Sequence, residues 1–212
     1  MPIELTLIEA RVLGSLVEKS LTTPELYPMT FNGLLNACNQ KTSREPVMSL
    51  DVDTMGKAVE SLIDKDLIER LQAAGDRVPK FRHDIGKLLG SDEPKLVGTL
   101  TVLLLRGPQT PGEIKGRTDR LCAFESTAEV EGLLQQLCAK AEHPIVARLP
   151  RRPGQKEVRY QHLFSNPSLE PQSGGTHLNS GSSEGRDRLA QLEKRVEALE
   201  AALKELTQPV AN

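Results

Sequence analysis

The sequence predicts a mainly helical α+β fold in which a small β-hairpin follows each group of three helices. Three observations predict it. Apolar residues recur at helical spacing along most of residues 1–165. At two places the period shortens from 3.6 to about 2 and is followed by a return segment. Those two places close two similar runs, so the unit occurs twice. Helix, helix, helix, hairpin is the order of a winged helix. Tandem winged-helix domains are therefore expected, with a C-terminal coiled-coil helix after them.

The first helix is marked by Leu5, Leu7, Ile8, Val12, Leu13, Leu16 and Val17, with Glu4, Glu9, Arg11, Glu18 and Lys19 on the other face. Thr22-Thr23-Pro24 reads as the start of the next segment, with Thr as N-cap and Pro in the first turn. Phe31, Leu34, Leu35 and Cys38 continue it, and a polar stretch with Pro46 inside follows. Asp51 or Asp53 can cap a third helix with the stripe Val52, Met55, Val59, Leu62 and Ile63. Leu67 to Gln72 reads as a strand, Ala74-Gly75-Asp76 as a turn, and Val78 to His83 as the return strand.

The second half repeats this order. Leu96, Val97, Leu100, Leu103 and Leu104 form its first stripe. Thr110-Pro111 echoes Thr23-Pro24, Val130-Glu131 echoes Val59-Glu60, Val146 to Leu149 echoes Ile68 to Leu71, and Tyr160-Gln161-His162 echoes Phe81-Arg82-His83. The Thr-Pro pairs are 87 residues apart and the Val-Glu pairs 71, so the first copy carries 16 extra residues. They are expected around residues 37–50, as an extended loop. Long loops are often functional; a capped, solvated connection is the plainer alternative.

The boundaries that follow are 1–90 for the first domain, 91–165 for the second, 166–185 for a linker and 186–208 for a heptad helix. Ser173-Gly174-Gly175 and Ser180-Gly181-Ser182-Ser183 give the linker a flexible composition. Leu189, Leu192, Val196, Leu199, Leu203 and Leu206 alternate spacings of 3 and 4, the seam of a coiled coil. Arg188 and Arg195 then meet Glu193 and Glu200 of a parallel partner, which suits a homodimer. A tail helix folded onto the body is the alternative.

Composition places the chain among soluble globular proteins. Hydrophobic residues make up 38 % of the 212, an ordinary apolar share once Gly is counted as well. Six aromatics (Tyr27, Phe31, Phe81, Phe124, Tyr160 and Phe164) and no Trp are too few for single-strand stacking platforms. The N-terminus lacks the basic and apolar segments of a signal peptide, and no apolar run is long enough to span a bilayer. Cys38, Cys122 and Cys138 form no paired framework, so a cytoplasmic location is expected, with the thiols as small buried hydrophobes. No P-loop, nucleophile elbow, metal-binding helix motif or C-x-x-C occurs, and no cofactor is expected. His83 and His162 stand at equivalent strand ends, a structural position. The expectation is a protein that is not an enzyme.

Net charge is −2 overall, which excludes a chain basic throughout. It is −2 over residues 1–90, +2 over 91–165 and −2 over 166–212. The positive part gathers on the second hairpin, in Arg148, Arg151, Arg152, Lys156 and Arg159, and the first wing adds Arg77, Lys80 and Arg82. Cations on a protruding element suit phosphate contacts, although a solvated hairpin has the same composition. The third helices argue against major-groove readout. Their outward faces carry Asp53, Lys57, Glu60 and Asp64 in one copy and Glu125, Glu129, Glu131 and Gln135 in the other.

The run Met29-Thr30-Phe31-Asn32-Gly33-Leu34-Leu35-Asn36-Ala37-Cys38-Asn39-Gln40-Lys41-Thr42-Ser43-Arg44-Glu45-Pro46-Val47 closely resembles the signature of the bacterial YceH family. The opening Leu5 to Lys19, the strand from Arg77 to His83, and Arg120-Leu121 before Phe124 resemble it too, so the likeness spans residues 3–165. The resemblance implies a bacterial, mostly helical tandem winged-helix fold without assigned catalytic or ligand residues. Two functions are open. One is a DNA-associated protein gripping phosphates through Lys41, Ser43, Arg44, Arg148, Arg151, Arg152, Lys156 and Arg159. The other is a protein-protein scaffold using the tandem units and the coiled coil.

Overall fold

A computed structural model describes residues 3–165, apart from 74, 76, 141–143, 152–154 and 156. These residues fall in one compact unit, Met1–Pro171. The expected linker, the expected heptad helix with its seam from Leu189 to Leu206, Arg152 and Lys156 lie outside the described residues.

The fold is mixed α/β, with about half of the described residues helical and two small antiparallel sheets. The order is α1 (Leu7–Thr22), a 3-10 turn (Pro24–Leu26), β1 (Met29–Thr30), α2 (Phe31–Cys38), α3 (Val52–Asp64), β2 (Ile68–Leu71), β3 (Lys80–His83), α4 (Ile85–Leu89), α5 (Pro94–Arg106), α6 (Pro111–Thr118), α7 (Thr127–Cys138), β4 (Val146–Arg148) and β5 (Tyr160–His162). The first sheet has the strand order β1-β3-β2, and the second is the pair β4-β5. No helix among the described residues is long and apolar enough to cross a membrane.

Local sequence fixes the helix starts. Thr6 and Glu9 form a capping box on α1: Thr6 Oγ1 accepts from Glu9 N (3.2 Å), and Thr6 N donates to Glu9 Oε2 (2.6 Å). Asp51 caps α3, accepting from Thr54 N at 2.7 Å. Thr110 and Glu113 repeat the box on α6. Gly90, at φ 67°, ends α4 in the left-handed region that an L-residue with a Cβ adopts only at a cost.

α1 and α5 form the centre and pack most extensively on each other. Every residue from Glu9 to Val17 and from Leu96 to Leu105 is buried. The expected polar face of α1 is therefore not a solvent face at Glu9 and Arg11. α3, α2, the loop after α2 and α5 surround that helix, so its polar groups need internal partners. Glu9 finds them in Lys65 Nζ and Ser61 Oγ, each at 2.6 Å. Burial pushes the Glu9 carboxyl up. The hydrogen bonds from Lys65, Ser61 and the Thr6 amide outweigh this and hold it below its usual value.

The hairpins of the two halves share a register, and an isolated bridge stands in the second half where the first has β1. Ile68 pairs with His83 as Val146 pairs with His162, and Met29 pairs with Phe81 as Gln109 bridges to Tyr160. In this register Thr30, not Thr23, is the counterpart of Thr110. Thr30 accepts from Gly33 N, whereas Thr23 makes no side-chain cap. Seven of the 16 extra residues thus precede β1, in the stretch that holds the 3-10 turn, and the rest fall between α2 and Val59. Val52 also departs from its expected stripe. In the first turn of α3 it is 57 % exposed, while Met55, Ala58, Val59 and Leu62 carry the buried face.

Candidate functional site

The loop of residues 39–51 is braced from beneath by two buried arginines. Arg11 of α1 donates from Nη1 to Cys38 O (3.2 Å) and from Nη2 to Pro46 O (2.6 Å). Burial, then the like charge of Arg44, lowers its pKa to about 10. It remains a cation at neutral pH and needs these carbonyls. Arg44 donates from Nε to Ala37 O (3.0 Å) and from Nη1 to Ser43 O (2.9 Å). It also grips Glu18 with both terminal nitrogens, at 3.0 and 2.6 Å. Asn39 closes the base of the loop, accepting from Leu50 N (2.8 Å) and donating to Leu50 O (2.9 Å). Glu45 N donates to Leu105 O at 2.8 Å, which ties the loop to α5.

This placement changes the role expected of Arg44. Its side chain is fully buried and its charge is matched by Glu18, so it holds the loop rather than reaching for phosphate. Lys41 and Ser43 remain exposed on the loop. On the β4-β5 hairpin, Arg148 and Arg151 are exposed. Arg159 is again placed differently from the expectation. It forks onto Glu113 at 2.8 and 3.0 Å and donates to Pro108 O at 2.8 Å. It thereby buttresses the capping box of α6. Arg82 and Arg70 of the first sheet pair with Glu69 and Glu60.

Two surfaces escaped the sequence reading. One is a groove of about 720 Å³ along α3. Phe31, Val52 and Gly56 line it together with the acidic Asp53, Glu60 and Asp64 and with Lys57. A Cβ placed on Gly56 would meet no atom within 4 Å. The exposed acidic positions were legible in the sequence; the displaced Val52 was the available signal for the apolar lining. The other is a crevice of about 340 Å³ between the end of α1, the loop, α5 and the end of α6. Nothing in the spacing of these residues points to it, because they come from four separate stretches of chain.

The Ser20–His83 pair is close enough to invite a catalytic reading, with Oγ and Nε2 2.9 Å apart. Its hydrogen bonds give another one. His83 Nδ1 accepts from Ile85 N (3.3 Å), so the ring proton sits on Nε2 and is donated to Ser20, whose hydroxyl donates to Val17 O (2.8 Å). The imidazole is not free to take the serine proton. Burial, the largest influence, holds His83 below its ordinary pKa, which keeps this neutral arrangement. Among the described residues, no group of three or more His, Cys, Asp or Glu is placed to hold a metal ion.

Comparison with known proteins yields a single picture. A family model described as "Protein of unknown function, DUF480" matches residues 5–155. The chain is 45 % identical to UPF0502 protein Acid345_3645 of Koribacter versatilis, over 90 % of this chain and 87 % of that one. It is 41 % identical to a UPF0502 protein of Aeromonas hydrophila, over 96 % and 95 % of the two chains. A UPF0502 protein of Opitutus terrae shares 52 % identity over 74 % of this chain and 68 % of its own. With a family model covering most of its length and relatives this similar, the chain belongs to the DUF480 family of bacterial proteins of unknown function.

Proposed function

We propose that the chain is a non-catalytic, cytoplasmic interaction protein built from two winged-helix units, and that it docks a basic segment of a partner protein along α3. The YceH likeness of residues 29–47 is read as the same family under another name. The repeated helix-helix-helix-hairpin order and the shared strand register support the two winged units, with boundaries near 1–90 and 91–165.

One observation carries the docking reading: the open face of α3 combines apolar and acidic lining residues. A winged helix that reads DNA lays its third helix in the major groove. Here that helix presents Asp53 and Asp64 without ion partners among the described residues, while Glu60 pairs with Arg70 at the surface. Carboxylates repel a phosphate backbone and attract Lys and Arg of a peptide. The exposed Val52 beside Gly56 gives that peptide an apolar anchor site.

The test is capture from nuclease-treated lysate, followed by binding of the purified partner to the purified chain. Gly56→Arg places a long cation in the groove from a position where a Cβ meets no atom within 4 Å. Loss of about tenfold or more in affinity with Gly56→Arg supports the reading. Equal binding by the variant overturns it, as does tight binding of duplex DNA alone at physiological salt.

A second reading rests on the exposed Arg148 and Arg151, which suit backbone phosphates. It expects salt-sensitive duplex binding that falls when both are changed to Ala. The heptad segment 186–208 adds a proposed parallel homodimer, which Leu199→Asp is expected to convert to monomer in light scattering.

A further inference from the structure

The geometry points to the crevice between residues 40–43, α1, α5 and the end of α6 as a binding site for a small phosphate-bearing ligand, through Arg106, Arg117 and Arg120. Three features converge. These three guanidiniums line one recess and form no ion pair or side-chain hydrogen bond among the described residues. Arg117 Nη1 is shielded from solvent yet has no hydrogen-bond partner. Buried donors are nearly always partnered, so this nitrogen calls for an acceptor. Of the carboxylates lining the recess, Glu18 is already held by both prongs of Arg44, and neither it nor Asp119 bonds this nitrogen. Asp119 also lines the recess and is exposed, and Lys19, 3.8 Å from Glu18, adds a further cation.

Like charges thus stand together without a direct ion pair among the described residues, with Glu18, Glu45 and Glu113 acting on them only from outside ion-pair distance. Burial, then repulsion from Arg117, lowers the pKa of Arg106, while Glu18 and Glu45 offset part of this. A dianion with several terminal oxygens satisfies such a set. The guanidinium fork matches phosphate oxygens two at a time, and Gln40, Thr42 and Ser43 bring further polar side chains to the same recess. A carboxylate has only two oxygens for these donors. At about 340 Å³ the recess is at the lower end of the roughly 300–1,000 Å³ of small-molecule sites. The ligand is therefore free phosphate or a small phosphate monoester. This site is separate from the α3 groove, and its test does not depend on the partner proposed there.

The experiment is isothermal titration of the full chain in phosphate-free buffer with inorganic phosphate, with glucose 6-phosphate, and with glucose as control. Saturable binding of one or both phosphates and none of glucose is expected. Binding of the ester alone identifies a monoester ligand, and binding of the ion alone identifies free phosphate. Arg106→Gln and Arg117→Gln each weaken it about tenfold or more, whereas Lys87→Gln, in α4 and outside the recess, leaves it unchanged. Without ligand, Arg117→Gln keeps or raises the unfolding temperature, since it removes a repelled cation; a merely structural arginine would lower it. No saturable binding below about 10 mM, or equal binding by Arg117→Gln, overturns the proposal.

Discussion

Arg44 and Glu18 form a two-pronged ion pair, Nη2 to Oε2 at 2.6 Å and Nη1 to Oε1 at 3.0 Å, with the arginine side chain fully buried. The pair joins the loop after α2 to the central helix. Removing one member leaves the other charged and out of water, which typically costs about 3–5 kcal/mol. Arg44→Ala is expected to lower unfolding free energy by about that much in urea titration. Lys41→Ala, three residues away and exposed, is expected to stay within about 0.5 kcal/mol. Similar small effects for both would refute the bracing role of Arg44.

Elements with one wet face were legible in the sequence. The hairpins appeared at their places because period-two alternation survives in short half-buried strands such as Ile68–Leu71. α3 was found because Met55, Val59 and Leu62 keep a helical stripe on a surface helix. α1 misled because a helix wrapped on all sides no longer sorts polar from apolar by face. Glu9 and Arg11 look solvent-facing until Lys65 and Pro46 arrive from elsewhere. The same limit applies to the loop and wing cations. Arg44 and Arg159 have the right composition for phosphate contacts, but their carboxylate partners lie 26 and 46 residues away in sequence. α4 and β1 are too short for periodicity to announce. The arginine recess gathers residues from α5, α6 and the loop, a proximity that spacing does not encode.

The register between the halves has its own consequence. Thr30 caps α2 by accepting from Gly33 N at 3.3 Å, and Thr110 caps α6 by accepting from Glu113 N at 3.2 Å. Loss of such a cap costs roughly 1 kcal/mol. Thr30→Ala and Thr110→Ala are both expected to destabilise by about that amount. Thr23 instead donates to Lys19 O at the end of α1 and caps no following helix. Thr23→Ala is expected to cost less than either. A Thr23 variant as damaging as Thr110→Ala would restore the original pairing of the Thr-Pro motifs.

Two helical glycines are expected to respond in opposite directions. Gly14 sits where α1 meets α5; a Cβ there would lie 3.1 Å from Leu104 Cβ and from Leu105 Cγ. Gly14→Leu forces the two central helices apart, and overpacking of this kind costs about 1–3 kcal/mol or more. Gly56, in the middle of α3, has open space around its Cβ position. Gly56→Ala is expected to raise stability by about 0.5–1 kcal/mol from helix propensity. Thermal melts of the two variants decide the matter. A stabilised Gly14→Leu would place the α1–α5 contact elsewhere than the structure does.

His162 makes stability depend on pH. Its ring is buried against Phe164, with centroids 6.3 Å apart, and Nδ1 has no partner among the described residues. Burial pushes its pKa down from 6.5 to about 4. Between those values the unfolded chain binds a proton that the folded chain refuses. The neutral ring's contribution is therefore complete above about pH 6.5 and is lost as pH falls toward about 4. The full loss is on the order of 3 kcal/mol, and roughly 2 kcal/mol of it has gone by about pH 5. His83, also held low by burial, adds in the same direction. Urea unfolding at about pH 7.5 and at about pH 5 should show the drop in the wild type. His162→Phe should show only the remainder from His83, because Phe keeps an apolar ring in place and has nothing to protonate. An unchanged pH dependence in His162→Phe would mean that the buried ring is not the group that titrates.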